Sequence, residues 1–130
     1  MEDSLFTKII KGEIPSYKIY EDDKSFAFLD IHPVQPGHVL VIPKQEINHL
    51  WDLPSEDYLA LMATVQKVAL RQRSVLNVER VGVQVEGLDV PHAHVKLIPF
   101  NTSEEFRHIP DNSAEPDHTA LAEMAAKLAF

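Results

Sequence analysis

Apolar residues recur along this chain with two periods, and the switches between them outline its elements. Across residues 4–12, "SLFTKIIKG", Leu5 and Ile9 stand four apart, as do Phe6 and Ile10. That spacing predicts a short helix with Ser4 as N-cap and Gly12 as its stop. Residues 17–20 and 25–31, joined by the turn "EDDK", predict a hairpin. "HPVQPGH" is a loop fixed by its prolines, with Gly37 supplying backbone freedom, and the apolar run 39–42, closed by Pro43, predicts a strand. Ser55, Glu56 and Asp57 open one long helix, since a capping hydroxyl and first-turn acids suit the positive helix end. Tyr58, Leu61, Met62, Val65, Val68 and Ala69 give it an apolar stripe at the 3.6 period, with Met62 as core filler. Val81, Val83 and Val85 alternate like a half-buried strand, and Glu86-Gly87 turns the chain into a second strand across residues 90–100. Residues 101–118 are polar and broken by prolines, and Leu121, Met124, Ala125 and Leu128 then form a last helical stripe. This order predicts an α+β fold: a mainly antiparallel sheet, one long helix and short flanking helices.

Composition narrows the function classes. With 130 residues and 45% apolar content the chain is expected to form a single domain over 1–130. Its core spans about 4–100, and residues 101–130 form a tail and helix. A net charge of −8 argues against nucleic acid polymers and anionic membranes as partners, while leaving room for a small phosphate compound held by a few donors. Zero cysteines exclude disulfides, thiolate nucleophiles and Cys-ligated zinc. No apolar run approaches the ~20 residues of a membrane span and the N-terminus lacks a secretion signal, so a cytoplasmic protein is expected.

The segment "VPHAHVKLIPF" carries the chemistry. Read as a strand, it sends His92, His94, Lys96 and Ile98 to one face, and Ala93, Val95 and Leu97 to the core. One reading of the pair is two partly buried polar side chains on a sheet edge. A metal reading needs a third ligand, but the next residue on that face is Lys96, whose ammonium has no lone pair. A catalytic reading asks for an imidazole whose tautomer is fixed so that it can attack phosphorus, with neighbours that stabilise phosphate charge. Two imidazoles and an ammonium could supply this, although spacing alone does not single it out.

"GEIPSYKIYEDDKSFAFLDIHPVQPGHVLVIPK", followed by "VPHAHVKLIP", resembles the histidine triad (HIT) family of nucleotide hydrolases and transferases, from about Phe6 to Pro99. The resemblance implies a HIT-like fold. It implies that the middle histidine, His94, attacks the α-phosphate of a nucleotide and gives a nucleotidyl-histidine that water or another acceptor resolves. His92 would orient it, and His38, from Pro-Gly-His, would line the phosphate site. Asp30 and Ile31 match the nucleoside pocket, where a carboxylate takes the ribose hydroxyls, with Val90 beside them. A purine mononucleotide conjugate as substrate, no cofactor and a homodimer are also implied. His32 and His49 match no motif position and are expected on the surface.

The chain departs from the family pattern in three places. Lys96 stands at the third triad histidine, which in the family contacts the bridging atom or leaving group. Some nucleotide-transferring relatives lack that histidine, so the change is compatible with activity. A catalytically weakened nucleotide-binding or sensing module is the alternative it raises. Ser4 and Thr7 stand where many bacterial relatives carry two zinc-binding cysteines, with Glu46 in place of a histidine, so no metal is expected. Leu88 falls where a polar phosphate contact is usual.

Overall fold

The computed structural model describes residues 2–130. Helix α1 (Leu5–Ile10) precedes the strands β1 (Lys18–Glu21), β2 (Ser25–Leu29) and β3 (Val39–Pro43). A 3-10 turn (Leu50–Asp52) leads into helix α2 (Ser55–Leu76), then strands β4 (Arg80–Gln84) and β5 (Val95–Phe100), and helices α3 (Ser103–Arg107) and α4 (His118–Leu128). The five strands form one sheet in the order β1-β2-β3-β5-β4, every neighbouring pair antiparallel, so the predicted α+β architecture holds.

Burial on both faces explains the unbroken apolar runs of β2 and β3. On one face Ala27, Leu29, Val39, Val41, Val95 and Leu97 pack against Leu61, Val65 and Val68 of α2 and Leu121 and Leu128 of α4. The stripes read for those two helices are thus their core faces. On the opposite face Phe26, Phe28, Leu40 and Ile42 meet Phe6 and Ile9 of α1. Helix α1 covers one end of this second face, and α3 covers the other, where Phe106 lies over Gly82 and meets the Phe100 ring at a tilt, centroids 4.9 Å apart. A Cβ at Gly82 would overlap the Phe106 ring. The strip between the two helices holds Lys96, which sits in register between Leu40 and Gln84.

Several local readings need correction. The strand expected from residue 90 begins only at Val95, because the main chain at 92–93 pairs with a loop rather than a strand: Ala93 N–H donates to Ile47 O at 2.7 Å. The two-residue alternation survives in the side chains: Ala93, Val95 and Leu97 join the core, and His94 lies edge-on to Phe6 across the sheet. Ser55 is the first helical residue rather than the cap; Pro54 occupies the cap position and no side chain caps α2, although Glu56 and Asp57 do occupy its first turn. The hairpin's second strand ends at Leu29, and β4 ends at Gln84, before Val85. The tail read as irregular contains α3, closed by a capping box between Thr102 and Glu105.

Candidate active site

Four backbone segments bring the predicted residues together. His38 opens β3 after Gly37, whose φ of +89° is a left-handed conformation that suits glycine. A Cβ there would also come within 2.6 Å of Leu76. Gln72 on α2 holds this bend, its Nε2 donating to Gly37 O at 2.8 Å and Leu97 O at 3.1 Å, so the start of β3 and the middle of β5 share one buried staple. Asp30 lies just past the end of β2, and its Oδ1 accepts the His32 N–H at 2.8 Å. His94 precedes β5 and Lys96 sits within it.

The hydrogen bonds assign the ring protons. His94 Nδ1 lies 2.8 Å from His92 O, and a carbonyl can only accept, so Nδ1 carries the hydrogen. The neutral ring therefore keeps its lone pair on Nε2, which takes no hydrogen bond among the described residues. His92 Nε2 likewise donates, to Pro43 O at 2.7 Å, which leaves its Nδ1 to accept from Ser4 Oγ at 2.9 Å. His38 is opposite: Nδ1 accepts the Val34 N–H at 3.1 Å, so the Nε2–H points inward. That Nε2 is buried without a hydrogen-bond partner, 3.8 Å from Asp30 Oδ2. Burial pushes the His38 imidazole down to about 4, partly opposed by the Asp30 carboxylate and reinforced by the Lys96 ammonium. Burial also pushes His92 below the usual imidazole range, against the pull of its bond to Pro43. Lys96 Nζ pairs with Glu86 Oε1 at 3.4 Å.

Two cavities meet at this strip. One, of about 290 Å³, is mostly apolar and lies under α1; Phe6, Ile9, Phe28, Ile31, Val90 and His94 line it. The other, of about 710 Å³, is polar and runs towards α3, with His32, His38, Gln84, Glu86, Arg107 and His108 in its walls. Asp30, Asp89 and Lys96 belong to both. The predicted Asp30, Ile31, His38, Val90, His94 and Lys96 thus gather around one bipartite opening. His92 does not: it is fully buried, lines neither cavity, and reaches the site through its main-chain carbonyl.

The HIT domain family description matches residues 11–103. The chain belongs to the HIT family. Among HIT proteins it is 40% identical over 125 residues to the adenosine 5′-monophosphoramidase of Saccharomyces cerevisiae, an alignment covering 95% of this chain and 79% of that one. A HIT-like protein from Bartonella henselae superposes with a TM-score of 0.82 at 31% identity, covering 97% of this chain and 94% of the other. A zinc-bound HIT protein from Mycobacterium smegmatis superposes at 0.72 with 29% identity, covering 95% and 94%. The residues that gather around His92 Nδ1 in the present chain do not suit zinc. Beside the Glu46 carboxylate stand two hydroxyls, from Ser4 and Thr7, and protein zinc sites draw on thiolate, imidazole and carboxylate rather than hydroxyl. Their polar atoms are already bonded to one another.

Sequence reasoning missed Asp89 and His32, and it gave no part to Gln84, Glu86, Arg107 or His108. Asp89 sits in the short loop before the motif, and nothing in its local sequence separates it from an ordinary loop carboxylate. His32, expected on the surface, donates from Nε2 to Ala114 O at 3.0 Å and borders the larger cavity.

Proposed function

We propose that this HIT protein binds a nucleoside monophosphate conjugate and cleaves it at the α-phosphate through a nucleotidyl-His94 intermediate. The observation that carries the reading is the His94 tautomer: Nδ1–H is tied to the His92 carbonyl, the Nε2 lone pair is free, and the ring lines the apolar cavity. Nε2 attacks phosphorus, a P–N bond forms, and the bond to the leaving group breaks with its electron pair going to the leaving atom. Water or another acceptor then displaces the imidazole. The apolar cavity takes the base and ribose, with Asp30 Oδ2 available to accept from the ribose hydroxyls while Oδ1 holds His32 N–H. The unpartnered His38 Nε2–H donates to a phosphate oxygen. Lys96 takes the place of the third triad histidine and faces the departing group, for which the larger cavity has room. The relative named as an adenosine 5′-monophosphoramidase supports a purine nucleotide amide or anhydride as substrate class. The chain acts as a homodimer, a reading supported by the exposed Val83 on the unpaired edge strand β4 and the exposed Leu59 and Leu70 on α2. No helix among the described residues is long and apolar enough to cross a membrane, which fits the cytoplasmic reading.

The test is turnover of adenosine phosphoramidate and adenosine anhydrides, followed as release of the mononucleotide. The account predicts product with at least one leaving-group class. Saturable binding with no product from any of them would instead assign a nucleotide-binding module, the function that the Lys96–Glu86 ion pair would leave if it disables the leaving-group side.

A further inference from the structure

The most tightly organised polar group in the molecule lies outside both cavities. Glu46, on the loop after β3, accepts the Ser4 N–H at 2.7 Å and the Thr7 hydroxyl at 2.6 Å, both on one carboxylate oxygen. Ser4 Oγ accepts the Thr7 N–H at 3.1 Å as the cap of α1, and it lies 2.9 Å from His92 Nδ1. One proton assignment uses the shortest contact at each member when His92 is neutral. His92 Nε2–H is committed to Pro43 O, so Nδ1 accepts, and Ser4 at 2.9 Å is a nearer donor to it than Thr7 at 3.4 Å. Thr7 gives its own to Glu46, an acceptor-only group when ionised. The hydrogen bonds from Thr7 and Ser4 hold the Glu46 carboxyl down at about 2, so it is ionised at neutral pH.

We propose that Ser4, Thr7 and Glu46 are positioning residues: a metal-free relay that fixes the seat of His92, and through the His92 carbonyl the aim of His94. This rests on His94 being the group that attacks phosphorus. Residues 92–93 are held from two sides, by Ala93 N–H to Ile47 O and by His92 to Pro43 and Ser4. Removing Ser4's hydroxyl leaves His92 Nδ1 without its donor and loosens the ring's seat, while Pro43 O still holds the proton on Nε2. The His92 carbonyl is what orients His94 Nδ1–H at 2.8 Å. Removing Glu46 loosens α1 itself. Six residues cannot hold a helix on their own, and the Phe6 of this helix sets its ring edge-on to His94 at a centroid distance of 5.1 Å. None of Ser4, Thr7, Glu46 or His92 lines a cavity, so the relay governs how the nucleophile is held rather than how tightly substrate binds.

The experiment pairs disruptive with conservative variants. Ser4→Ala and Glu46→Leu should each lower kcat roughly tenfold, the scale of a sub-ångström misplacement, with KM moving less than about threefold. Ser4→Thr keeps the hydroxyl and Glu46→Gln keeps an acceptor oxygen, so both should stay within roughly threefold of wild type. Imidazole ¹⁵N spectra of the full chain provide a readout that needs no turnover. Wild type should show His92 with the proton on Nε2 and His94 with it on Nδ1, and Ser4→Ala should shift the His92 Nδ1 resonance, whose hydrogen bond it removes, where Ser4→Thr does not. If Ser4→Ala fails to fold, Thr7→Val against Thr7→Ser makes the same comparison one bond further out. Equal kcat in Ser4→Ala and wild type would overturn the relay, as would an unchanged His92 Nδ1 resonance in Ser4→Ala or a Ser4→Thr variant as slow as Ser4→Ala. A wild type that turns over nothing but shows both tautomers as assigned would sink the catalytic reading and leave the relay standing.

Discussion

Exchanging Lys96 for histidine should change which leaving groups the protein handles. Lys96 stands in register between Leu40 and Gln84, borders both cavities, and has Glu86 as its partner at 3.4 Å. A lysine ammonium titrates near ~10.4 in water and an imidazolium near ~6.5, so at pH 7 the first is charged but gives up its proton reluctantly. A well-matched general acid contributes about 10²-fold at the low end of its range. About a quarter of an ordinary histidine is protonated at pH 7, which cuts that gain to roughly 25-fold. A phosphoramidate needs its amine protonated as it leaves, and Lys96→His should therefore raise its kcat/KM by at least about tenfold, or ~1.4 kcal/mol of barrier. An anhydride releases an anion that a fixed cation already stabilises, so its kcat/KM should rise less or fall a few-fold. Glu86 loses its partner in the variant, but it is half exposed and stays solvated, so the fold should lose less than ~1 kcal/mol. The assay is kcat/KM for a matched adenosine phosphoramidate and anhydride in wild type and Lys96→His. A phosphoramidate-to-anhydride ratio that stays within twofold would mean that Lys96 takes no part in leaving-group chemistry.

Three further outcomes follow from the geometry. Asp30→Ala should weaken a ribonucleotide by about 1–3 kcal/mol and barely affect one lacking both ribose hydroxyls; equal loss for the two, by calorimetry, would place Asp30 in the fold rather than the pocket. Gln72→Leu strands the Gly37 and Leu97 carbonyls that Gln72 Nε2 now satisfies and should cost about 2–4 kcal/mol in urea unfolding, a prediction that fails if the midpoint does not move. For His38 the folded pKa of about 4 lies below the ordinary 6.5, so between those values the unfolded chain binds the extra proton. Its contribution, on the order of 3 kcal/mol, is complete above the upper value and drains away as pH falls towards the lower one; His38→Gln should flatten that part of the stability–pH curve, and an unflattened curve would remove His38 as its cause.

How far the sequence could be read depended on whether each signal was local. The i,i+4 pairs of α1, the stripes of α2 and α4 and the two-sided runs of β2 and β3 are local patterns that tertiary packing reinforces, and the elements formed where they were expected. The period-2 alternation from Ala93 to Leu97 sorted side chains to the correct faces even where no strand exists, because bonds to the 43–47 loop hold His92 and Ala93 in place ahead of β5. Helix α3 had a readable signal in Thr102-x-x-Glu105, but no apolar run follows it, and its anchoring contacts, Phe106 on Gly82 and Phe100 and Gln35 Nε2 to Glu105 O, depend on other segments. Of the site, His94, His38, Asp30, Ile31, Val90 and Lys96 were nameable from motifs. The proton positions were not, since each depends on a carbonyl or hydroxyl supplied by another segment. That same dependence is why His92 was expected in the nucleotide pocket and sits behind it.

The central claim is a covalent bond between His94 and the substrate's phosphorus, and trapping that bond tests it most directly. The protein would be mixed with adenosine phosphoramidate or an adenosine anhydride, quenched within one turnover at alkaline pH because a phosphoramidate linkage is acid-labile, and digested for mass spectrometry. The account predicts one nucleoside monophosphoryl group, carried on the peptide containing His94, appearing before free product and absent from His94→Asn. Product release from His94→Asn at more than a few per cent of the wild-type rate, or wild-type turnover with no adduct at His94, would contradict it.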